Sequence, residues 1–157
     1  MDCTKWIIIL LLAMVSIPAA FAVGMHHDSP IGYWKAIDDA TGQPNRIVQI
    51  WKTEDQILMG KVVKIFSNTN SEKSKFCTAC TGNKHNQPLV GMVVMSGLKM
   101  HKNQWKMGQI LDTDNGKIYH CALKLTEKGN KLNVKGYLGL PWFGRSQTWE
   151  RVDLMSG

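Results

Sequence analysis

Two cysteines separated by two residues, Cys77 and Cys80, are the part of this sequence best suited to chemistry. Such a pair can close a local disulfide, act as a redox couple or supply two ligands to a zinc ion. A redox pair normally opens a helix, which lowers the pKa of a thiol, whereas this pair lies in a polar stretch. We expect a local disulfide, and the alternative is a bridge from one of the two to Cys121.

Zinc or redox chemistry at the pair is a further interpretation. Zinc needs four ligands, and His85 would add only a third, so a distant His101 or His120 would have to complete the set. The adjacent His26 and His27 could hold copper or nickel, although histidines near a chain terminus are more commonly solvated. The sequence therefore predicts no resident metal and no cofactor.

Groups for acid–base or nucleophilic catalysis are few. Asp38 and Asp39 precede a Thr-Gly pair, and Asp112 and Asp114 flank a hairpin turn, so both pairs are placed to cap turns. Ser146 lacks the surroundings of a nucleophile elbow. We therefore expect a protein that is not an enzyme.

Aromatic side chains are the remaining candidates for binding. Trp142 and Phe143 stand between Pro141 and Gly144 in a predicted turn. With Arg145 beside them, they would suit an amphipathic ligand with an anionic head, or contact with a membrane surface. Other aromatic residues would fill the core or line an apolar cavity. The candidate ligand-binding residues are Trp105, Tyr119, Tyr137, Trp142, Phe143 and Arg145.

Short strands would position these residues. Alternating apolar and polar residues are separated by turns rich in Gly, Asn and Asp, as in antiparallel sheets. The predicted strands are Ile31–Ile37, Arg46–Lys52, Leu58–Phe66, Leu89–Met95, Gln104–Leu111, Lys117–Leu125, Lys131–Leu138 and Gln147–Val152. Eight such strands favour an all-β, antiparallel up-and-down barrel, which has no free sheet edge and has room for side chains or one small ligand.

The first and last strands carry a matching pair of patterns, Gly32-x-Trp34 and Trp149-x-Arg151. Their positions suggest a sheet closed on itself, with a guanidinium stacked on an indole. We assign Gly32, Trp34, Trp149 and Arg151 to structural closure. The segment Ser67–Pro88 is too long for a simple hairpin loop, and we expect it to cover one mouth of the barrel.

A series of short motifs extends through nearly the whole chain after residue 22. They are Gly32-Tyr-Trp34, Asp38, Ile47–Ile50, Gly60, Cys77-x-x-Cys80, Gln87–Gly91, Trp105–Asp112, Asn115–Tyr119, Leu132–Tyr137 and Phe143–Trp149. In this order they resemble domain-of-unknown-function family 2147, a group of small exported bacterial proteins. The resemblance implies a lipocalin-like barrel and a location in the cell envelope. It implies no reaction and no catalytic residues.

The start of the chain has the features of a signal peptide. Lys5 precedes the apolar run Trp6–Val15, and Ala20-Phe21-Ala22 is a small-x-small cleavage site. An uncleaved anchor is the alternative, because Trp6–Val23 is nearly long enough to span a membrane. We expect a signal peptide at 1–22, a flexible tail at 23–30, one domain at 31–157, and export to the periplasm or the exterior.

Charge narrows the choice of partners. The net charge is +7, the lysines are spread along the chain, and no nucleic-acid-reading motif is present, so a nucleic-acid partner is not expected. The sequence predicts that the barrel binds a small amphipathic or apolar ligand, with peripheral membrane contact left open. Two alternatives are an interaction module of the envelope with a filled barrel, and a metal or redox role at the cysteine pair.

Overall fold

The computed structural model describes residues 28–38, 41–66 and 75–153. These residues form a closed barrel of antiparallel strands, each paired with its neighbours in chain order. The strands are β1 (Gly32–Ile37), β2 (Pro44–Lys52), β3 (Leu58–Ile65), β4 (Val93–His101), β5 (Gln104–Leu111), β6 (Ile118–Thr126), β7 (Lys131–Tyr137) and β8 (Arg145–Val152). The architecture confirms the predicted eight-stranded up-and-down barrel.

Several sequence-based predictions concern residues outside the described part of the chain. They are the signal peptide at 1–22, the histidines His26 and His27, the turn residue Asp39 and the first portion of the long connection, from 67 to 74.

The first and last strands close the barrel, as the two tryptophan patterns predict. In the β1–β8 pairing, Trp34 lies opposite Arg151 and Lys35 lies opposite Glu150. Lys35 Nζ is 2.8 Å from Glu150 Oε2 on the outer surface, and this contact lowers the pKa of Glu150. All sheet edges are therefore paired within the barrel.

Alternation along the strands decides which side chains fill the interior. On β7, Leu132 and Val134 are buried while Lys135 is partly exposed, and on β6, Cys121 and Leu123 are buried. Burial of each large apolar side chain stabilises the fold by about 1.5–3 kcal/mol. One half of the interior is filled by Trp34, Ile50, Leu58, Leu98, Trp105, Leu123 and Leu132.

The fourth strand differs from its prediction. The sequence predicts Leu89–Met95 with a turn at Ser96-Gly97, whereas β4 begins at Val93 and continues to His101. Gly97 has a φ of 76°, and the register with β3 shifts between Met95 and Leu98. A glycine that forms a bulge within a strand has the same sequence pattern as a glycine in a turn.

The described helices are short 3₁₀ turns at Gly82–Lys84, Glu127–Gly129 and Pro141–Phe143. In the described ranges, no helix has the length and apolar character needed to cross a membrane.

Candidate ligand-binding cavity

The barrel has two different ends. At the closed end lie the turns 53–57, 102–103 and 127–130 and the segment that precedes β1. At the open end lie the described residues of the connections 38–43 and 66–92, together with the turns 112–117 and 138–144. The filled half of the interior adjoins the closed end, so any ligand site must lie toward the open end.

Trp34 and Arg151 seal the closed end. The Arg151 guanidinium carbon lies 4.3 Å from the centre of the Trp34 ring, and Trp34 Nε1 donates to the Pro30 carbonyl at 2.7 Å. A Cβ on Gly32 would lie 3.0 Å from Arg151 Nη1, so the glycine permits the guanidinium to approach the first strand. Ser29 and Pro30, which the sequence places in the flexible tail, belong to this seal, since Arg151 Nη2 donates to the Ser29 carbonyl at 2.7 Å.

A cavity of about 390 Å³ occupies the open half of the barrel. Its volume lies within the range of about 300–1,000 Å³ that is typical of small-molecule sites. Apolar side chains line its inner part, namely Ala36, Val48, Val94, Ile110, Leu111, Val134 and Trp149. Charged and amide side chains line the mouth, namely Asp38, Asn45, Arg46, Asp112, Asp114, Asn115 and Arg145.

One strand supplies a graded wall to this cavity. Arg145, Gln147 and Trp149 alternate along β8 on its inner face, and all three line the cavity. Trp149 is buried, and its Nε1 donates to Gln147 Oε1 at 3.2 Å. The wall thus changes from apolar inside to cationic at the mouth. Trp149, assigned from the sequence to closure, lies in the cavity wall instead of in the Trp34–Arg151 stack.

The β5–β6 turn holds a polar network at the mouth. Asp112 Oδ1 accepts a hydrogen bond from the Asp114 backbone at 2.9 Å, and Asp112 Oδ2 accepts one from Asn115 Nδ2 at 2.9 Å. Asn115 Nδ2 also donates to the Tyr119 hydroxyl at 3.1 Å. Both oxygens of Asp112 therefore serve the turn, as the sequence predicts, and the turn fixes the Tyr119 hydroxyl at the rim.

A second cavity, of about 330 Å³, lies beside the first. Asp38, Asn45, Arg46 and Asp114 border both cavities. Arg46 Nη1 donates to Thr113 Oγ1 at 2.6 Å, and its Nη2 lies 3.5 Å from Asp114 Oδ1. The Arg46 side chain, which links β2 to the β5–β6 turn, thus forms part of the partition between the two spaces.

The described part of the long connection packs over this end. Cys77 and Cys80 form the predicted local disulfide, with 5.3 Å between their Cα atoms, and Cys77 Sγ lies 3.6 Å from the Thr113 carbonyl oxygen. Lys84 Nζ donates to the Val93 carbonyl at 2.8 Å. The connection lines the second cavity with Phe76, Thr78 and Leu89, so it covers one side of the open end.

The Cys77–Cys80 disulfide bears on the interpretation of this pair as a metal or redox site, because both chemistries use thiolates. With their sulfur atoms bonded to each other, Cys77 and Cys80 present no thiolate. Within the described ranges, no group of three or more His, Cys, Asp or Glu side chains is arranged to hold a metal ion. Cys121 is a buried free thiol, and burial raises its pKa to about 12.

The structure brings four of the six candidate ligand-binding residues to the cavity. Tyr119, Phe143 and Arg145 line its mouth, and Tyr137 borders it, although the Tyr137 ring packs at 5.5 Å against His120 on the outer face.

The other two candidates lie elsewhere. Trp105 is buried in the filled half near the closed end, one residue into β5, and it does not line either cavity. Trp142 is 69% exposed on the β7–β8 connection. The sequence shows that both residues are aromatic but gives no information on their height along the barrel axis.

Sequence reasoning missed Arg46 and Gln147 as cavity residues, and it assigned Trp149 to structural closure. The alternation Arg145-x-Gln147-x-Trp149 could have identified the β8 wall, because residues two apart face the same side of a strand. Nothing local identifies Arg46, whose partner Thr113 is 67 residues away in the chain.

The closed eight-stranded barrel, sealed at one end and with a cavity at the other, has a lipocalin-like fold. The chain belongs to the family described as uncharacterized protein conserved in bacteria (DUF2147), whose model matches residues 32–151. This match confirms the resemblance seen in the sequence motifs. No curated protein matches the sequence.

A solved structure has a similar fold. It is protein HP1028 from the human pathogen Helicobacter pylori, which is described as belonging to the lipocalin family. The TM-score is 0.67 and the sequence identity 16%, and the match covers 81% of this chain and 85% of that chain. At this identity the similarity concerns the fold alone.

Proposed function

We propose that the protein is a binding protein of the bacterial cell envelope, and not an enzyme, that holds one small amphipathic molecule in its barrel. The observation that carries the proposal is the 390 Å³ cavity, which is apolar inside and polar at its mouth. The apolar part of the ligand would contact Val48, Val134 and Trp149. Its polar or anionic head would lie near Arg46 and Arg145 at the rim.

The alternative of an interaction module with a filled barrel requires side chains to occupy the whole interior. Side chains fill only the closed half, and the open half contains the cavity. Ligand binding therefore accounts for an interior that is filled at the closed end and hollow at the open end. An interaction module with a filled barrel does not account for this difference. The similar fold of a protein described as a lipocalin supports the proposal by analogy.

An envelope location is supported by two features of this chain. Lys5, the apolar run after it and Ala20-Phe21-Ala22 have the pattern of a cleavable signal peptide. The Cys77–Cys80 disulfide suits an oxidising compartment. Cell fractionation and the mass of the recovered protein test this part, since cleavage after Ala22 would leave Val23 as the first residue.

Titration with matched amphiphiles tests binding. Decanoate, decanol and decylammonium share one tail and differ in the head group, so calorimetry with all three separates the contribution of the tail from that of the rim. We expect all three to bind, and decanoate to bind most tightly because Arg145 and Arg46 line the mouth while Asp38 and Asp112 accept hydrogen bonds within their own turns. Native mass spectrometry of protein recovered from the envelope would show whether an endogenous ligand is retained.

A cavity-filling variant identifies the site. Ala36 faces the cavity, and Ala36→Leu would place three further carbon atoms within it. We expect affinity to fall by about tenfold or more, which corresponds to about 1.4 kcal/mol. Ala122→Leu makes the same change on the outward-facing side of β6 and should leave affinity unchanged. Equal affinity of the two variants, or no binding of any amphiphile, would contradict the proposal.

A further inference from the structure

The connection between β7 and β8 displays an unusual concentration of exposed apolar side chains. We name residues 138–144 the aromatic loop. Leu138, Leu140, Trp142 and Phe143 are 57%, 51%, 69% and 79% exposed. Ile118, which is also exposed, adjoins the loop, since its strand pairs with β7 through His120 and Tyr137. Contiguous apolar surface of this kind usually marks an interaction site.

The aromatic loop has a defined shape. Its 3₁₀ turn at Pro141–Phe143 is closed by backbone hydrogen bonds from Phe143 to Leu140 at 3.1 Å and from Gly144 to Pro141 at 3.3 Å. The rings of Trp142 and Phe143 lie 6.4 Å apart. The loop therefore holds two neighbouring aromatic rings outward on a hydrogen-bonded turn. A protruding pair of this kind suits insertion into a lipid surface better than it suits binding of a partner in a groove.

The charged residues that adjoin the aromatic loop on its two flanking strands are basic. Lys135 and Arg145 adjoin the loop on β7 and β8, and the stretch from Leu132 to Trp149 contains no acidic residue. The neighbouring stretch 115–126 contains two lysines and no acidic residue. This side of the barrel therefore complements an anionic surface.

Carboxylates of the open end lie on other connections. Asp38 Oδ1 accepts hydrogen bonds from the Thr41 backbone and hydroxyl, and Asp112 is bonded within its own turn. Asp114 is paired with Arg46. The two strands that carry the loop therefore place Lys135 and Arg145 next to it and no carboxylate within four residues of it.

We infer that the aromatic loop docks the protein on the surface of an anionic lipid bilayer. Tryptophan and other aromatic side chains favour the interfacial layer of a membrane, and nearby lysine and arginine are attracted to anionic head groups. Leu138 and Phe143 line the cavity as well as the loop, so docking would bring the cavity mouth to the bilayer. The inference goes beyond the proposed function and does not require an occupied cavity.

Vesicle binding tests the inference with protein recovered from the envelope. We expect it to bind vesicles of mixed phosphatidylglycerol and phosphatidylcholine, and to bind phosphatidylcholine alone much more weakly. The double variant Trp142→Ala/Phe143→Ala should lose about tenfold or more in partitioning. Met100→Ala/Met107→Ala is the matched control, because these side chains are 56% and 68% exposed on β4 and β5, away from the loop. It should bind as the wild type does.

Quenching by brominated lipid gives a second readout that does not depend on the stability of the double variant. Trp142 fluorescence should be quenched on binding, and Trp142→Phe should lose most of that quenching. Trp34, Trp105 and Trp149 are buried, and the partly exposed Trp51 lies at the closed end of β2, away from the loop.

Three results would overturn the inference. They are equal binding to neutral and anionic vesicles, equal partitioning of the two double variants, and quenching that survives in Trp142→Phe. Loop-dependent capture of an envelope protein without vesicle binding would likewise replace the bilayer with a protein partner.

Discussion

Arg151 covers the indole ring of Trp34 at the closed end of the barrel, with 4.3 Å between the guanidinium carbon and the ring centre. The same guanidinium donates to the carbonyls of Gly129 at 2.8 Å, Ile31 at 3.0 Å and Ser29 at 2.7 Å. Burial lowers the pKa of Arg151, an effect that Asp153 opposes. One planar side chain thus joins the last strand, the segment before β1 and the β6–β7 turn.

Replacing Arg151 with lysine should destabilise the fold although the charge is kept. An ammonium group can neither stack flat on Trp34 nor reach three carbonyls at once. We expect the free energy of unfolding to fall by about 2 kcal/mol, measured by urea denaturation. Arg145→Lys makes the same exchange on the same face of β8 at the open end, and it should change stability by less than about 0.5 kcal/mol. Equal effects would show that the Trp34–Arg151 stack does not stabilise the closed end.

A side chain at Gly116 should destabilise the fold, because Gly116 packs against the segment between β3 and β4 that carries the Cys77–Cys80 disulfide. Its φ is +72°, and an added Cβ would collide with the Ala79 carbonyl. Gly139 has a similar φ of +70°, but no described atom lies within 4 Å of its Cβ position. Gly139→Ala should therefore cost only the left-handed backbone strain, about 1 kcal/mol. Gly116→Ala should cost about 3 kcal/mol, because overpacking adds to the strain.

Reduction of the disulfide provides the internal check on this comparison. Without the Cys77–Cys80 bond, the Ala79 carbonyl can move away from the β5–β6 turn, so the excess cost of Gly116→Ala over Gly139→Ala should shrink. Denaturation of both variants with and without reductant measures the excess. If Gly116→Ala costs no more stability than Gly139→Ala, or if the extra cost is the same with reductant, then the segment that carries the Cys77–Cys80 disulfide does not restrict Gly116 as we expect.

The sequence predicts the barrel well because the residue patterns that indicate strands lie within short segments of the chain. Alternation places Leu123 and Leu132 inside, and the patterns at Trp34 and Arg151 predict which strands meet. Gly97 misleads the prediction of β4, since a bulge and a turn both favour glycine. The site is less predictable, because its shape depends on how far each inward side chain lies along the barrel axis. Trp105 and Trp149 both face inward, yet only Trp149 lines the cavity.

The free thiol of Cys121 should make stability depend on alkaline pH. Cys121 lies inside the barrel, with Gly108 and Gly136 opposite it on the two neighbouring strands. Burial raises its pKa from 9.0 to about 12. Between these values the folded protein keeps the thiol proton and the unfolded chain loses it, so the unfolded state binds fewer protons. The contribution of Cys121 is therefore complete below pH 9 and declines as the pH rises toward 12.

Comparison with Cys121→Ala isolates this effect, since lysines and tyrosines titrate alike in both proteins. The difference in unfolding free energy between wild type and variant should decrease by up to about 1.4 kcal/mol per pH unit within that window. Urea denaturation at a series of pH values, with oxygen excluded, measures the slope. Alkylation of the native protein near pH 9 should also be slow and should become fast in urea, because only the unfolded chain exposes a thiolate. Parallel stability curves for the two proteins would show that Cys121 ionises in the folded barrel as it does in solution.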